Sequence, residues 1–513
     1  MKNTAETTRR LHLRKRAACL LLTLCMLLTL HAAAFAEQGG EESANANQWE
    51  EYSFEILGGN EIKITAYSGT SHKKVKIPDT ILGYRVTALG NHIFKGYHVV
   101  NVGSEVPSSL ERVEIPDSVR TIDGNPFSGC PHLTEIIVFP TNPNLSVIDN
   151  VLFCKADKSI VCYPQAKAET EYVIPEGVQV IGRDAFCGCS ALKQVTVPDG
   201  VKTIGEDAFA SCSRLMRIEL PDSVVSIGDG AFAGCVCLGK VSLSSRLESI
   251  GEAAFLDCKR LSGIELPDGL KEIGDVAFAG CSALNRITIP GSIKAIGDSP
   301  FRECTRMTPT SILIMNNRFS VENGMLFDTL EHRLIQVLNK RVSKAEIPQG
   351  TKIIGKYAFY NVTNMAGITI PDTVTEIRSS AFSGCRSLKA VEIPDGVRTI
   401  EPRTFSGCAG LTELKLPKEL REIRENAFSG CKSLETVTIP EGVTVLGSAA
   451  FSDCAKLRTV SVPGSVSSIE DDVFCRCDKL SSVLVKKGSY AEDYCKNGKL
   501  PFAYSDSLDW LNG

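Results

Sequence analysis

A large apolar side chain recurs at a fixed interval along most of this 513-residue chain. The interval is 23 residues, and phenylalanine occupies it in two runs of six: Phe186, Phe209, Phe232, Phe255, Phe278 and Phe301, then Phe359, Phe382, Phe405, Phe428, Phe451 and Phe474. A period of this length is typical of a solenoid, in which each repeat winds as one coil against its neighbours. Phe94 and Phe127 mark two further, longer coils, so the pattern predicts about 14 coils.

Within one coil, the apolar positions indicate a short strand followed by a short helical turn. In residues 192–212, Val195 and Val197 alternate with polar residues, and Pro198 ends the strand because it has no N–H to donate. A turn that buries Ala208 and Phe209 follows. The position two residues after the phenylalanine is glycine in eight of the coils, which indicates a left-handed backbone conformation there.

A single coil has too few large apolar side chains to offset the entropy lost when its backbone is ordered. Coils that stack at the spacing of neighbouring strands share one continuous core, and the apolar surface buried between them offsets the entropy that a single coil cannot. The predicted fold class is therefore α/β: a strand-rich solenoid with short helical turns.

Two longer gaps interrupt the period, at 127–186 and 301–359, and each contains an insert. The segment LSVIDNVLF at 145–153 matches FSVENGMLF at 319–327, so the chain contains a duplicated block of one insert and six regular coils. Apolar runs that flank 155–158 and 328–332 predict a β-hairpin in each insert. We expect these hairpins to project from the stack, where they serve either as binding loops or as spacers.

The first residues indicate export. Six basic residues precede the apolar run at 17–30, and Ala34-Phe35-Ala36 matches a signal-peptidase cleavage pattern, so residues 1–36 are predicted to be a cleaved signal peptide. Cleavage changes the formal net charge from −4 to −9, which makes nucleic acid and anionic lipid poor candidate partners. No later segment is long and apolar enough for a transmembrane helix. The mature chain is expected to be secreted and extracellular.

The remaining chain divides into a polar spacer at 37–48, an N-terminal β cap at 49–76, a solenoid at 77–485 and a C-terminal cap and tail at 486–513. The hairpin inserts occupy about 139–173 and 312–346 within the solenoid. Ser489 is predicted to cap a short helix over 490–497, just before Gly498. Such caps cover the apolar ends of a solenoid.

Twelve of the 20 cysteines occupy one column, three residues after the phenylalanine: Cys130, Cys189, Cys212, Cys235, Cys258, Cys281, Cys304, Cys385, Cys408, Cys431, Cys454 and Cys477. We interpret this column as buried free thiols that fill space in the core. Disulfides between neighbouring coils are the alternative, because stacked positions fall within the permitted Cα separation. Cys154 and Cys162 could also form a disulfide across the first hairpin.

No catalytic, cofactor-binding or metal site is predicted. The three Cys-x-Cys pairs lack the spacing of zinc ligands, and histidine is too sparse for a serine-type or cysteine-type triad. His92 and His98 flank Phe94 and are interpreted as a solvated pair. We therefore expect a protein that is not an enzyme and needs no cofactor.

The repeat IPDGVKTIGEDAFASCSRL, the insert NPNLSVIDNVLFCKADKSIVCYP and the closing segment VKKGSYAEDYCKNGKLPFAY resemble BspA-like leucine-rich repeat proteins of bacterial surfaces. The resemblance covers roughly residues 50–505. It implies a leucine-rich repeat solenoid that is secreted or surface-exposed. For some members of the family it also implies adhesion to host matrix proteins or to other cells.

Outward positions of the strands form a polar surface on which acidic and basic residues alternate. One column is Glu114, Thr196, Glu219, Ser242, Glu265, Thr288, Glu392, Lys415, Thr438 and Ser461, and the next is Arg112, Gln194, Arg217, Lys240, Gly263, Arg286, Ala390, Glu413, Thr436 and Thr459. These charges either bind a protein partner, such as an extracellular matrix or cell-surface protein, or only pair across strands. The alternative function is an architectural envelope or spacer protein without a specific ligand.

Overall fold

The 23-residue period folds into a stack of coils in the computed structural model of the chain. The structure describes residues 51–69, 71–95, 97–99, 104–106 and 108–505. The predicted signal peptide, the polar spacer and the end of the C-terminal tail lie outside the described residues. From Ser53 onward the chain forms one compact unit. Within the described residues, neither helix has the length and apolar content that crossing a bilayer requires.

Each regular coil contributes two strands that pair in parallel with the coils on either side. Gln194–Thr196 pairs with Glu171–Val173 on one side and Arg217–Glu219 on the other, with partners 23 residues apart. A two-residue strand, Thr203–Ile204, follows and pairs with Val180–Ile181. The alternation that the sequence predicts is present, since Val195 is buried between exposed or half-buried neighbours.

The longer strands of the coils lie side by side and form what we call the long-strand face. Its strands are Lys74–Lys76, Arg112–Ile115, Glu135–Val138, Glu171–Val173, Gln194–Thr196, Arg217–Glu219, Lys240–Ser242, Ile287–Ile289, Ile312–Ile314, Lys344–Glu346, Gly367–Thr369, Ala390–Glu392, Glu413–Lys415, Thr436–Thr438, Thr459–Val462, Ser482–Val485 and Phe502–Tyr504.

The two-residue strands form a second side, the short-strand face: Thr121–Ile122, Val180–Ile181, Thr203–Ile204, Ser226–Ile227, Ser249–Ile250, Glu272–Ile273, Ala295–Ile296, Ile353–Ile354, Glu376–Ile377, Thr399–Ile400, Glu422–Ile423, Val445–Leu446 and Ser468–Ile469. The N-terminal end adds Tyr52–Gly58, Glu61–Tyr67, Thr80–Ile81, Tyr84–Leu89, Tyr97–Val99 and Ser104–Val106. The described helices are a 3-10 turn, Pro309–Ser311, and one α-helix, Tyr490–Gly498.

The predicted phenylalanine column is confirmed. In the first run of six the ring centroids are 4.8 to 5.9 Å apart, and in the second run they are 4.9 to 6.1 Å apart. The rings are nearly parallel, with an interplanar angle of 1° between Phe255 and Phe278. The spacing follows the separation of stacked strands, so one aromatic ring per coil builds a continuous core.

The turns that carry these rings contain little helix. Ser211, two residues after Phe209, is left-handed with φ 60°, as the glycine-rich column predicts. Asp207, two residues before the ring, is also left-handed with φ 51°, and corresponding residues in most coils share this conformation. Because a left-handed residue lies on both sides of the ring, a helix cannot propagate, and single turns replace the predicted short helices.

The two inserts do not project from the stack, so that expectation was wrong. Their last strands, Ser159–Cys162 and Arg333–Val337, are buried along their whole length. These strands pair in parallel with Val180–Ile181 and Ile353–Ile354 of the following coils. Strands buried on both sides are apolar without strict alternation, and the inserts have this composition. Each insert therefore winds as a coil of the solenoid.

Each insert also has one strand more than a hairpin. Leu145–Ile148 and Phe319–Glu322 precede the hairpins and pair with them in antiparallel orientation. The two-residue turn at Asp149 and Asn150 has positive φ at both positions, as in the tight turns of β-hairpins. The inserts are thus three-stranded meanders, of which the predicted hairpins are the second half.

In the part of the chain that the structure describes, the stack contains about 19 coils, more than the 14 that the phenylalanine count predicts. Coils that have no phenylalanine in the column are not included in that count. Tyr67 packs on Phe94 with ring centroids 5.0 Å apart, and Tyr163 stacks on Phe186 at 5.3 Å, so a tyrosine takes the same place in these coils. The meanders and the terminal strands add further turns of the chain to the stack.

The second meander joins two hydrophobic cores. Leu326 and Ile335 pack into the core of the preceding coils, whereas Phe327 and Leu334 pack into the core of the following coils. The alternating side chains of these strands therefore connect both halves of the duplicated chain. The meander is a structural joint, not an appendage.

A buried ion network lies at this joint. Arg333, whose side chain is 6% exposed, pairs with Asp298, which is 3% exposed. Asp298 also accepts a hydrogen bond from Arg378 at 2.9 Å. Asp328 is fully buried and accepts from Arg318 at 2.8 Å. The corresponding region of the first insert lacks these residues, because Cys154 and Ser159 stand where Asp328 and Arg333 stand here.

The predicted C-terminal cap helix is confirmed as Tyr490–Gly498, capped by the Ser489 side chain on the Glu492 N–H. The left-handed residue that ends it is Lys499, not Gly498. Glu492 accepts hydrogen bonds from the Gly488 N–H at 2.6 Å and from the Tyr504 hydroxyl at 2.8 Å. This carboxylate ties the helix to the last strand of the long-strand face.

We expect acid to open this cap. Lys496, the Gly488 N–H and the Tyr504 hydroxyl lower the pKa of Glu492 from its usual value near 4.5 to about 2. A lowered pKa stabilises the fold above pH 4.5, and this stabilisation is lost as the pH falls from 4.5 towards 2. The measurement is the reaction of buried Cys495 with an acid-tolerant pyridyl disulfide across this range. In Glu492→Gln the reaction should lose its dependence on pH; an unchanged profile would contradict the assignment.

Candidate functional site on the long-strand face

Polar side chains cover most of the long-strand face, and many pair across neighbouring strands. Arg112 contacts Glu135 of the neighbouring strand at 3.2 Å and Glu114 of its own strand at 3.0 Å. Lys415 pairs with Glu392 one coil away. Cross-strand pairing therefore accounts for much of the charge pattern that the sequence shows on this face.

The ladder of parallel strands is interrupted in the coil of Phe255. Lys240–Ser242 ends a four-stranded sheet, and the next sheet begins at Ile287–Ile289. The intervening segment, residues 262–266, is extended in sequence pattern but forms no strand. Among the described residues, no backbone hydrogen bond reaches the N–H or the C=O groups of Gly263, Ile264 and Glu265.

The same coils remain joined along the short-strand face. Lys271 donates its N–H to the Glu248 carbonyl at 2.8 Å, and Gly274 donates to Ile250 at 2.8 Å. The Phe232 and Phe255 rings also keep their stacking distance of 5.2 Å. The two coils are thus in register at the core and at one face, while their strands lose contact at the other face.

A groove of about 1060 Å³ fills this opening, and we call it the sheet groove. Its floor contains apolar side chains of three coils: Leu243 and Leu266 are half-buried, whereas Val241, Ile264 and Ile287 are almost fully buried. Leu313, 57% exposed, lies at one wall. A Cβ atom added to Gly263 would meet no atom within 4 Å, so the space above this residue is open.

Charged side chains surround the sheet groove without forming ion pairs. Lys240 and Arg286 lie where the strands begin, and Glu265 and Asp268 lie where the segment ends. All four are exposed. None of them is within 4 Å of an opposite charge in the part of the chain that the structure describes, in contrast to Arg112 and Lys415 on the same face. These groups are free to meet charges on a ligand.

The duplicated block shows a weaker version of the same opening. Glu413–Lys415 and Thr436–Thr438 correspond to Lys240–Ser242 and to residues 263–265, and these two strands also do not pair. Thr436–Thr438 nevertheless pairs with Thr459–Val462 on its other side. The unpaired boundary between two strands therefore occurs in both blocks. The segment that is unpaired on both sides, residues 263–265, lies in the first block.

A second groove, of about 690 Å³, follows the short-strand face from Ser226 to Gly297 and is rich in acids. Its carboxylates already bond the backbone of the next coil: Asp229 accepts from the Glu252 N–H and Asp275 from the Asp298 N–H, both at 2.7 Å. These acids hold coils together. They leave the sheet groove as the better candidate for binding.

The cysteine column is buried, and its geometry favours thiols. Each of the twelve donates a hydrogen bond to a backbone carbonyl of the preceding coil, as Cys212 does to Phe186 at 3.1 Å and Cys304 to Phe278 at 3.0 Å. Burial raises the pKa of Cys235 and Cys431 to about 12. A thiol that stays protonated is a poor nucleophile, so these residues are unsuited to catalysis or disulfide exchange.

The first meander does not bring its two cysteines into opposition. Cys162 lies opposite Leu152, and Cys154 lies opposite Ser159, because the register shifts between the strands. The disulfide considered across this hairpin is therefore not formed in the structure.

We expect alkylation of the native protein to separate the two groups of cysteines. Cys475 is exposed and Cys237 is half-buried, whereas the column thiols are buried, and burial raises the pKa of column members such as Cys235. Iodoacetamide at pH 8 should modify Cys475 first and leave the column unmodified until the protein unfolds. Mass spectrometry of the unreduced protein provides the readout. Disulfide-linked peptides from the column would contradict the free-thiol interpretation.

His92 is not part of a solvated pair, so that interpretation was wrong. Its Nε2 atom lies 2.9 Å from the carboxylate of Asp184, which is 4% exposed and 92 residues away in sequence. Burial alone would raise the pKa of Asp184, but His92, Asn91 and Arg183 together lower it below its usual range. Stacking brought these residues together across coils, which no local pattern shows. The side chain of His98 lies outside the described residues.

No three side chains of His, Cys, Asp or Glu in the described ranges converge in a way that could hold a metal ion. The sheet groove itself offers backbone groups, apolar contacts and unpaired charges. Such a surface can bind a ligand, and it contains no paired nucleophile and base.

Comparison with known families identifies the repeat. The family model described as "BspA type Leucine rich repeat region" matches residues 58–161, 161–262, 226–340 and 337–420. These matches span more than half of the chain, and the chain belongs to this family of leucine-rich repeat proteins. Its members are repeat proteins rather than enzymes, and leucine-rich repeats commonly bind other proteins. No functionally curated protein gives a significant match.

Solved structures share the repeat architecture. A leucine-rich repeat protein from Eubacterium ventriosum is 24% identical, with a TM-score of 0.51, over 66% of this chain and 88% of that one. A leucine-rich cell surface protein from Faecalibacterium prausnitzii is 24% identical, with a TM-score of 0.43, over 90% and 98% of the two chains. A leucine-rich repeat protein from Bacteroides ovatus is 26% identical, with a TM-score of 0.38, over 88% and 98%.

Proposed function

We propose that this chain is a secreted or cell-surface protein that binds protein partners through its long-strand face and catalyses no reaction. Its partner is an extracellular matrix or cell-surface protein. The predicted signal peptide supports export, and the family supports protein binding. The acidic mature chain fits a protein partner better than nucleic acid.

One observation carries the proposal: the sheet groove combines an apolar floor with unpaired polar groups. Leu243, Leu266 and Leu313 supply apolar contact area in the groove. Lys240, Arg286 and Glu265 at its rim have no ion-pair partner within the described residues. Protein interfaces have this arrangement, in which an apolar centre is surrounded by a polar rim. Elsewhere on the same face, Arg112 pairs with Glu135 and Lys415 pairs with Glu392.

The competing proposal is an architectural protein without a specific ligand. Under that proposal, the inserts would be spacers, and no single part of the face would matter for function. Because the meanders are buried in the stack, their deletion would disturb the core and could not separate the two proposals. Substitutions of exposed residues around the sheet groove separate them better.

The test compares two variants of equal charge change. Lys240→Glu with Arg286→Glu alters the rim of the sheet groove, and Lys202→Glu with Lys294→Glu alters exposed lysines beside the short-strand face. The wild-type protein is screened against matrix proteins and cell surfaces, with an unrelated acidic protein as the background. We expect binding that only the first variant loses. An absence of binding by the wild type would favour the architectural protein, and equal loss in both variants would show that binding does not depend on the sheet groove.

A further inference from the structure

We propose that the sheet groove receives an extended segment of the partner, which adds to the sheet through main-chain hydrogen bonds. This inference rests on the proposed function and specifies the chemistry of the partner at that site. The occupant is a peptide in β conformation, with an acidic residue followed two positions later by a basic residue.

The backbone of the groove provides the first argument. Gly263, Ile264 and Glu265 present three N–H and three C=O groups that no described backbone group pairs with. Unpaired strand groups are a template for another strand, and recognition by strand addition takes its affinity from such main-chain bonds. In the coils of Gln194–Thr196 and Arg217–Glu219, by contrast, the strand is paired on both sides.

The floor provides the second argument. Successive side chains of an extended peptide point to opposite sides, so every second residue would face the groove. Leu243 and Leu266 form an apolar patch there because they are only partly buried, whereas Val241 and Ile264 beneath them belong to the buried core. An apolar side chain between the acidic and the basic residue would cover this patch. Covering it would stabilise the complex because apolar surface leaves water.

The charges provide the third argument: for a peptide that runs parallel to the strands, as the strands of this face do to one another, they set the order of its acidic and basic residues. Lys240 and Arg286 mark the beginning of the strands, and Glu265, two residues beyond Gly263, marks the end. Two residues of a strand span about 6.6 Å. A peptide parallel to the strands would therefore place its acidic residue near Lys240 and Arg286 and its basic residue near Glu265. The reverse order would put like charges together.

Gly263 provides a way to block the groove. In this outward column it stands between Lys240 and Arg286, and a Cβ at this position would meet open space. Its φ lies outside the left-handed region, so a larger residue fits without backbone strain. Gly367 occupies the same column in the second block, and there a Cβ would only touch Lys344 at 3.9 Å. Gly263→Trp and Gly367→Trp are therefore a matched pair.

The experiment measures fluorescence anisotropy of a labelled peptide, Thr-Glu-Val-Lys-Val-Thr, with the full protein. A second peptide exchanges the glutamate and the lysine, and a third carries an N-methyl group on the central valine. We expect saturable binding of the first peptide and at least about tenfold weaker binding of the other two. Gly263→Trp should weaken binding by at least about tenfold, and Gly367→Trp should leave it unchanged. Circular dichroism and thermal unfolding show whether both variants fold.

Three results would overturn the inference. These are no saturable binding of the peptide, equally strong binding of the N-methylated or the exchanged peptide, and equal loss of binding in both tryptophan variants. If a second copy of the chain fills the groove, the peptide does not bind, which is the first of these results. Sedimentation would then detect the dimer. The proposed function is judged separately: a protein partner that depends on Lys240 and Arg286 would uphold it even where the peptide does not bind.

Discussion

Phe255→Ala is expected to lower the free energy of unfolding by about 3 to 5 kcal/mol, which is the usual range for a fully buried aromatic side chain. The Phe255 ring is fully buried, with the Phe232 ring 5.2 Å away on one side and the Phe278 ring 5.4 Å away on the other. Its removal leaves a cavity that faces both neighbouring coils. Because each coil is stabilised only by its neighbours, the loss cannot be shared with a distant part of the core.

Denaturant unfolding measures this effect, with Met216→Ala as the control. Met216 lies on an adjacent part of the stack but is 49% exposed, so its truncation should change stability by less than about 0.5 kcal/mol. Phe255→Leu, which keeps much of the volume, should fall between the two variants. Equal stability of Phe255→Ala and Met216→Ala would contradict the shared aromatic core.

Arg333→Ala is expected to destabilise the protein by about 3 to 5 kcal/mol, because it leaves buried carboxylates with too little positive charge. Arg333 pairs with Asp298, bonds the Ile296 carbonyl at 2.7 Å and lies 3.9 Å from Asp328. Both aspartates are nearly inaccessible to water, so water cannot replace the lost charge. The damage should centre on the joint between the two cores.

The control for this prediction is Lys415→Ala. Lys415 also pairs with an acid, Glu392, but both side chains are about two-thirds exposed. An exposed pair of this kind contributes little to stability, because water and salt screen both charges. Thermal and denaturant unfolding of both variants should therefore differ clearly. A similar small effect in both would show that the joint does not depend on the buried ion network.

Much of the fold follows from a sequence in which one coil repeats many times. The 23-residue period places Phe186 to Phe301 in one aromatic column, and the structure confirms it. The burial of the cysteine column follows from the same period, since Cys212 stands three residues after a buried ring. Repetition gives such predictions their strength because the same environment recurs in every coil.

Contacts between coils that differ from the repeat were less accessible to prediction. The ion pair of His92 with Asp184 depends on how an irregular coil stacks on a regular one. The left-handed residue before each ring has no single composition, since Asp207 and Ala253 both adopt it. The Asn323-Gly324 dipeptide was an available signal for the first turn of the second meander, since both residues have positive φ.

The sheet groove has weak sequence signals, which are visible once the structure is known. Gly263 and Gly239 replace the longer residues that other coils place in or beside the outward column, and glycine is depleted in strands. Ser244 stands where the other coils have proline. None of these signals locates the unpaired segment by itself, because pairing depends on the separation of two coils and not on the propensity of one.

Hydrogen exchange of the backbone amides tests the central claim most directly, since an unpaired strand segment in a paired sheet is what the binding proposal requires. In the free protein, the amides of 263–265 should exchange much faster than those of Arg217–Glu219, two coils away on the same face. They should become protected when a protein partner or the labelled peptide binds. Slow exchange at 263–265 in the free protein would show that these amides are hydrogen-bonded to neighbouring strands. That result would contradict the binding site proposed at the sheet groove.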